Sequence, residues 1–248
     1  MRSALFFLAL VFAIPQLSVA QSFTGTIEIN SYQVENGEET AESGFRMMMN
    51  PDRVYIDGIG GIDDLEEFTQ TEITYALFRH DYEDIIFYGG GDKAIQIENE
   101  QVEALINMMG NLQQQIEEEG DEHQQTGFNE TSEQQTIAGY STTKWIITDA
   151  DGSEVHLWMS DEITMNWGIL TQDWIADLAG YSELPIRQWI SEGKTPLLIE
   201  NYEGGQMKNF IRMDRIAEGE YDSRRLEAPG DKELVNLQQI IMEQFGGQ

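Results

Sequence analysis

Phe23, Gly25, Ile27 and Ile29 alternate with Thr24, Thr26 and Glu28, which predicts a first strand with one apolar and one polar face. Beyond the acidic stretch 35–42, the segment GFRMMMNPDRVYIDGIGG reads as a hairpin turning at Asn50-Pro51-Asp52, with Phe45, Met47 and Met49 on one face. ITYALFRHD and EDIIFYGGG follow as two more strands, and KAIQI as a short further one. The period then changes. Val102, Leu105, Ile106, Met109, Leu112 and Ile116 fall at helical spacing, interrupted by Gly110 at a cost of about 1 kcal/mol relative to alanine. The stretch 117–133 is acidic, Gln-rich and nearly free of apolar residues, and is expected to be a mobile excursion.

Residues 135–160 form the best-marked hairpin, with Asp151-Gly152 between two runs of β-branched and aromatic residues. A two-residue loop sets the register by counting outward: Thr148 faces Val155, Ile147 faces His156, Ile146 faces Leu157, and Trp145 faces Trp158. Trp145, Ile147, His156 and Trp158 then share one face; Ile146, Val155, Leu157 and Met159 share the other. Two apolar faces mean either a sheet covered on both sides or one wrapped around a ligand, and the pattern alone does not choose.

Further on, Trp167, Trp174, Leu178, Trp189 and Ile190 stand among polar residues and predict one or two short helices, broken near Gly180 and Pro185. Strands resume with TPLLIENYEGGQMKNFIRMDRI, turning at Gly204-Gly205, and 232–245 places Leu234, Leu237, Ile240 and Ile241 as a terminal amphipathic helix. Antiparallel hairpins with inserted helices indicate an α+β class rather than a doubly wound fold.

Met1 and Arg2, the apolar run LALVFAIP, and Ser18-Val19-Ala20 before Gln21 read as a secretory signal peptide, 1–20, leaving one domain at 21–248. No later segment is apolar enough for a transmembrane span, so an exported chain, periplasmic or extracellular, is expected. With no cysteine, core packing must hold the fold without disulfides. The chain carries 45 acidic against 14 basic residues, a formal charge of −31, which disfavours nucleic acid and anionic membranes as partners. Acid spread over the whole chain fits adaptation to high salt, where the Debye length falls to about 3 Å at 1 M; Asp149 facing Glu154 in the hairpin agrees with that.

Motifs for chemistry are sparse. The chain has no G-x-S-x-G elbow, H-E-x-x-H helix, phosphate loop or dinucleotide fingerprint, and Gly89-Gly90-Gly91 reads as a strand-end turn. His80, His123 and His156 lie in different elements without metal-ligand spacing, and Asp149, Asp151 and Glu154 lack the full calcium-loop pattern. No cofactor, metal site or catalytic residue is expected. The Met47-Met48-Met49 and Met108-Met109 runs fit core filling, and thioethers also line promiscuous apolar sites.

Ile137-Ala138-Gly139-Tyr140, Lys144-Trp145 and Glu154 to Ser160 resemble an exported bacterial family, domain of unknown function 4412, with its I-x-G-Y strand, K-[YW] and W-x-[ST] in order. The segment from Phe23 to Ile27, Arg53-Val54-Tyr55-Ile56, Gly193 with Pro196 and Leu197, the run from Met213 to Ile216 and Pro229-Gly230 are similar too. The chain departs from that pattern at 117–133 and near Leu226-Glu227. The family is similar in architecture to the lipoprotein carriers LolA and LolB. That resemblance implies a curved, half-open antiparallel β-barrel with helices packed over the concave face, and a lipid or lipoprotein acyl chain as cargo. The leading expectation is thus a non-catalytic envelope protein binding an acyl chain, with Trp145, Ile147 and Trp158 lining the cavity. The rival expectation is a structural or protein-interaction module with a self-filled core; a hydrolase with an unrecognised site is weaker.

Overall fold

Period-two patterning builds nearly everything visible in the computed structural model, which describes residues 22–58, 69–98, 125–165 and 192–237 together with Glu66, Gln101, Trp189, Gln239, Ile240 and Met242. Six strands come first: β1 (Gly25–Glu35), β2 (Glu38–Met49), β3 (Arg53–Asp57), β4 (Tyr75–Arg79), β5 (Asp84–Tyr88) and β6 (Lys93–Glu98). Then follow β7 (Gln125–Ile137), β8 (Tyr140–Asp149), β9 (Glu154–Ser160), β10 (Thr195–Glu203) and β11 (Gln206–Glu218), and finally β12 (Glu233–Asn236).

All twelve lie in one open sheet, in the order β12-β6-β5-β4-β3-β2-β1-β11-β10-β9-β8-β7. Two meanders therefore meet at a single seam, where β1 runs antiparallel to β11. β12 joins β6 in parallel and forms one edge; β7 forms the other.

Tight turns set the hairpins. Asn36 and Gly37 (φ 54° and 82°), Ala138 and Gly139 (49° and 93°), and Gly204 and Gly205 (57° and 75°) pair two positive φ values, the geometry that matches the twist of the flanking strands. At the β2–β3 turn, the Asn50 side-chain oxygen accepts from the backbone N–H groups of Asp52 (2.9 Å) and Arg53 (2.8 Å). The expected turns at Asn50-Pro51-Asp52 and Gly204-Gly205 are both present.

The largest apolar cluster joins Ile27, Met47, Met49, Val54, Phe78 and Ile95 of the first meander to Trp158, Leu198 and Phe210 of the second. Met47 and Met49 are buried in it, while Met48 packs against a separate cluster around Tyr55, Leu77, Ile86 and Leu226. Core filling accounts for this methionine run. A third cluster holds Trp145, Ile147, Leu157, Met159 and Trp189. Arg53 fastens the 3-10 turn Ser223–Leu226 to the first meander: its guanidinium donates to the Leu226 carbonyl oxygen (2.7 Å) and pairs with Asp81 and Glu227 (2.8 Å each).

This architecture corrects the α+β, half-open-barrel expectation. The sheet is open and has twelve strands, and every element described is a strand of it apart from the 3-10 turn Ser223–Leu226. The predicted helices at 102–116 and 166–190 fall outside the described residues, apart from Trp189. The terminal segment shows why periodicity misled. Residues 233–236 are a strand because the β6 edge offers unpaired backbone groups, and strand alternation buries Val235 while leaving Leu234 41% exposed. A helix from 232 would have used Leu234 inward; helical backbone begins only at Leu237. Part of the acidic stretch 117–133 is strand. Residues 125–133 belong to β7, held by a backbone ladder to β8 that does not depend on side-chain polarity. The remaining 117–124, and the predicted signal peptide, lie outside the described residues.

Candidate functional site

The β8–β9 hairpin turns where Asp151-Gly152 predicts, but with a longer loop. Asp149 N–H donates to the Ser153 carbonyl (2.9 Å), Gly152 N–H to the Asp149 carbonyl (3.0 Å), and the Asp151 carboxylate accepts from Ser153 N–H (2.8 Å). Thr148 consequently faces Glu154 rather than Val155. A slip of one residue moves every side chain of one strand to the other face. Trp145 lies opposite Leu157 and Ile147 opposite Val155, whereas Trp158 lies opposite Lys144 and His156 opposite Ile146. The three residues expected to line one cavity are therefore divided between two faces, and the expected Asp149–Glu154 facing pair does not form.

Each of the three is packed within the protein. Trp145 (7% exposed) meets Trp189 edge-on at 5.6 Å between centroids, with the Lys194 ammonium 4.6 Å from its ring. Ile147 is buried in the same cluster. Trp158 (8% exposed) donates its indole N–H to Glu200 Oε2 at 3.0 Å, and the Lys144 ammonium lies 5.7 Å from its ring centroid. On that face, His156 Nε2 is 2.9 Å from Glu154 Oε2, its ring is 4.2 Å from that of Tyr202, and Nδ1 stands 3.7 Å from Glu200 Oε2. Burial, reinforced by the carboxylates of Glu200, Glu133 and Glu154, pushes the Tyr202 hydroxyl above its ordinary range. Among the described residues no group of three or more His, Cys, Asp or Glu is placed to hold a metal ion.

A second constellation lies at the β1–β11 seam. Glu28 pairs with Arg215 and Ile29 with Met213, so Asp214 is an extra residue in β11, a β-bulge. Its carboxylate accepts from Asn30 Nδ2 (2.6 Å), the Tyr32 hydroxyl (2.5 Å) and Arg212 Nε (2.5 Å). Burial opposes ionisation of Asp214, but these three donors outweigh it and hold the carboxyl below its usual range. The hydrogen bond to Asp214, with burial behind it, raises the Tyr32 hydroxyl. Tyr32 stacks on Phe210, and the Arg212 guanidinium carbon lies 4.9 Å and 5.3 Å from the two ring centroids.

Just past this network the seam opens. Gln33 opposite Asn209 is the last rung between β1 and β11. Beyond it the β1–β2 and β10–β11 hairpins continue as two prongs, around a cleft of about 760 Å³ lined by residues 33–37 and 206–208. A smaller cleft of about 420 Å³ lies beside Glu28, Asn30 and the Arg46–Asp57 ion pair (2.9 Å). Periodicity drew attention to the tryptophan hairpin and missed this fork. The available signal was the spacing from Met213 to Ile216, which breaks period two where the bulge sits.

Among the described residues no helix is long and apolar enough to cross a membrane. No protein-family model matches the chain, and no curated protein matches it. Among solved structures it is similar to two of PNGF-II, in space groups P21 and C2, each at 11% identity and a TM-score of 0.40. The match covers 86% and 88% of this chain but 32% and 33% of theirs, so the chain spans about a third of the length of these neighbours. A likeness at that level carries no argument about architecture or activity.

Proposed function

We propose that this chain is an exported, non-catalytic interaction module of the cell envelope, with a core filled by its own side chains and a partner-binding surface at the seam. Kinship with the exported family of domain of unknown function 4412 belongs to the same proposal. The observation that carries it is the division of Trp145 and Ile147 from Trp158: all three are engaged by the protein's own residues, on two faces, instead of converging on one cargo. An acyl-chain carrier needs a continuous apolar lining, because each buried methylene contributes about 0.8 kcal/mol.

Native mass spectrometry of the chain, exported and purified without detergent, separates the two readings. The expected result is the bare polypeptide mass, unchanged after incubation with palmitate. A stoichiometric palmitate or lipid adduct, lost in a folded Trp145→Ala variant, would overturn the module reading in favour of a carrier.

A further inference from the structure

The fork at the seam has two walls made of strand edges. Glu35 pairs with Glu38 around the Asn36-Gly37 turn, and Glu203 pairs with Gln206 around Gly204-Gly205. In a two-residue hairpin the residues flanking the turn exchange both backbone hydrogen bonds, and the direction of those groups alternates along each strand. The next residues inward, Val34 and Met207, therefore aim their N–H and C=O groups away from their own hairpins, toward the opposite prong. The ladder that would use them ended at Gln33 and Asn209, one residue from Val34 and two from Met207, with Lys208 an extra, bulged residue between Asn209 and Met207.

We propose that this fork is a strand-acceptor site, which takes an extended, cationic peptide segment of a partner protein between the Val34 and Met207 edges. The proposal rests on the reading of the chain as an interaction module. Its length suits a short strand segment. From the last rung to the turn is about three or four residues, or roughly 10–14 Å at about 3.4 Å per residue. A strand seated there hydrogen-bonds to both prongs, so main-chain groups supply affinity without a deep pocket. The side chains of Val34 and Met207 pack against the main core and form an apolar floor.

Charge selects the occupant. Glu35 lies in the wall, and Glu38, Glu39 and Glu203 stand at or beside the two turns, against one basic residue, Lys208 of the β10–β11 prong. On a chain of net charge −31 this favours a cationic segment and disfavours a second copy of the same chain.

The test uses the full chain, labelled with ¹⁵N, and the probe acetyl-Lys-Val-Lys-Val-Lys-Val-amide. Binding is expected to shift the amide resonances of residues 33–37 and 206–208 and to slow hydrogen exchange at Val34 and Met207. Methylating alternate backbone nitrogens of the probe removes donors from one of its edges and should weaken binding about tenfold while leaving the protein untouched. Val34→Pro should do the same from the protein side, since the lost N–H faces the cleft and not β2. Acetyl-Glu-Val-Glu-Val-Glu-Val-amide should not bind.

Absence of binding, indifference to N-methylation, or equal binding of the acidic probe would each overturn the proposal. So would concentration-dependent protection of Val34 and Met207 without probe, which assigns the fork to a second copy. Binding centred on the β7 or β12 edge overturns the fork and leaves the module reading standing, whereas the palmitate adduct overturns the module reading whatever the peptide does.

Discussion

Tyr32 and Phe210 stack across the seam with ring centroids 4.6 Å apart and planes 13° from parallel, one rung before β1 and β11 part. They close the ladder at its open end. Phe210 is 2% exposed, so Phe210→Ala should cost about 3–5 kcal/mol in urea unfolding. A double-mutant cycle with Tyr32→Leu and Phe210→Leu should give a coupling of about 0.5–1.5 kcal/mol. Additive effects would show that the rings do not act as a pair.

The Asp214 carboxyl is held below its usual range in the folded protein. The unfolded chain therefore takes up this proton at higher pH than the folded one. The stabilisation is complete above the ordinary aspartate value of about 3.9 and is lost as pH falls through the lowered folded value. Asp214→Asn should flatten the acid limb of stability below about pH 4, read from urea midpoints as the pH is lowered through that value. An acid limb as steep as that of the unmodified protein would refute the assignment.

Arg79 and Asp84 form a buried ion pair between β4 and β5, and Gln96 Nε2 also donates to the same carboxylate (2.6 Å). Arg79→Met strands a carboxylate that is 2% exposed, and should cost about 3–5 kcal/mol. Arg79→Met combined with Asp84→Leu removes both charges and should recover most of that loss. Chemical denaturation of the three proteins measures it, and a double variant as unstable as the single one would exclude the desolvation account.

Self-repulsion at a net charge of −31 acts against the folded state, and Glu35 facing Glu38 at the β1–β2 turn is a local instance. Raising sodium chloride from about 0.05 M to about 1 M shortens the Debye length severalfold. The thermal midpoint should rise over that range. A flat response would count against salt adaptation.

Strand positions were legible where side chains alternate and a turn residue is obligatory, as at Ile27 and Ile29, Asn50-Pro51-Asp52, and Gly204-Gly205. Register was less so. Asp151-Gly152 marks where β8 and β9 turn, but loop length depends on the Asp149–Ser153 closure, which the dipeptide does not encode; one residue of error carried Trp158 to the wrong face. Edge strands were hidden for another reason. β12 is held by main-chain bonds to β6, far away in sequence, and β7 by a main-chain ladder to β8 that is indifferent to side-chain polarity, so neither the polar run before Ile137 nor the helical spacing after Lys232 announces them. The seam network was invisible for the same cause: Tyr32 and Asp214 look like ordinary strand residues until the chain brings them together.

That seam also governs how the molecule can form. Each meander is built from local hairpins, but the ladder that unites them in one sheet pairs Gly25–Gln33 with a strand some 180 residues further along. Closing so long a loop comes late and slows folding, because its entropy must be met before its contacts form. A chain emerging from its N-terminus cannot finish the sheet until β11 has arrived, so β1 spends synthesis with one flank unoccupied. Completion of the fold is timed by the C-terminal end.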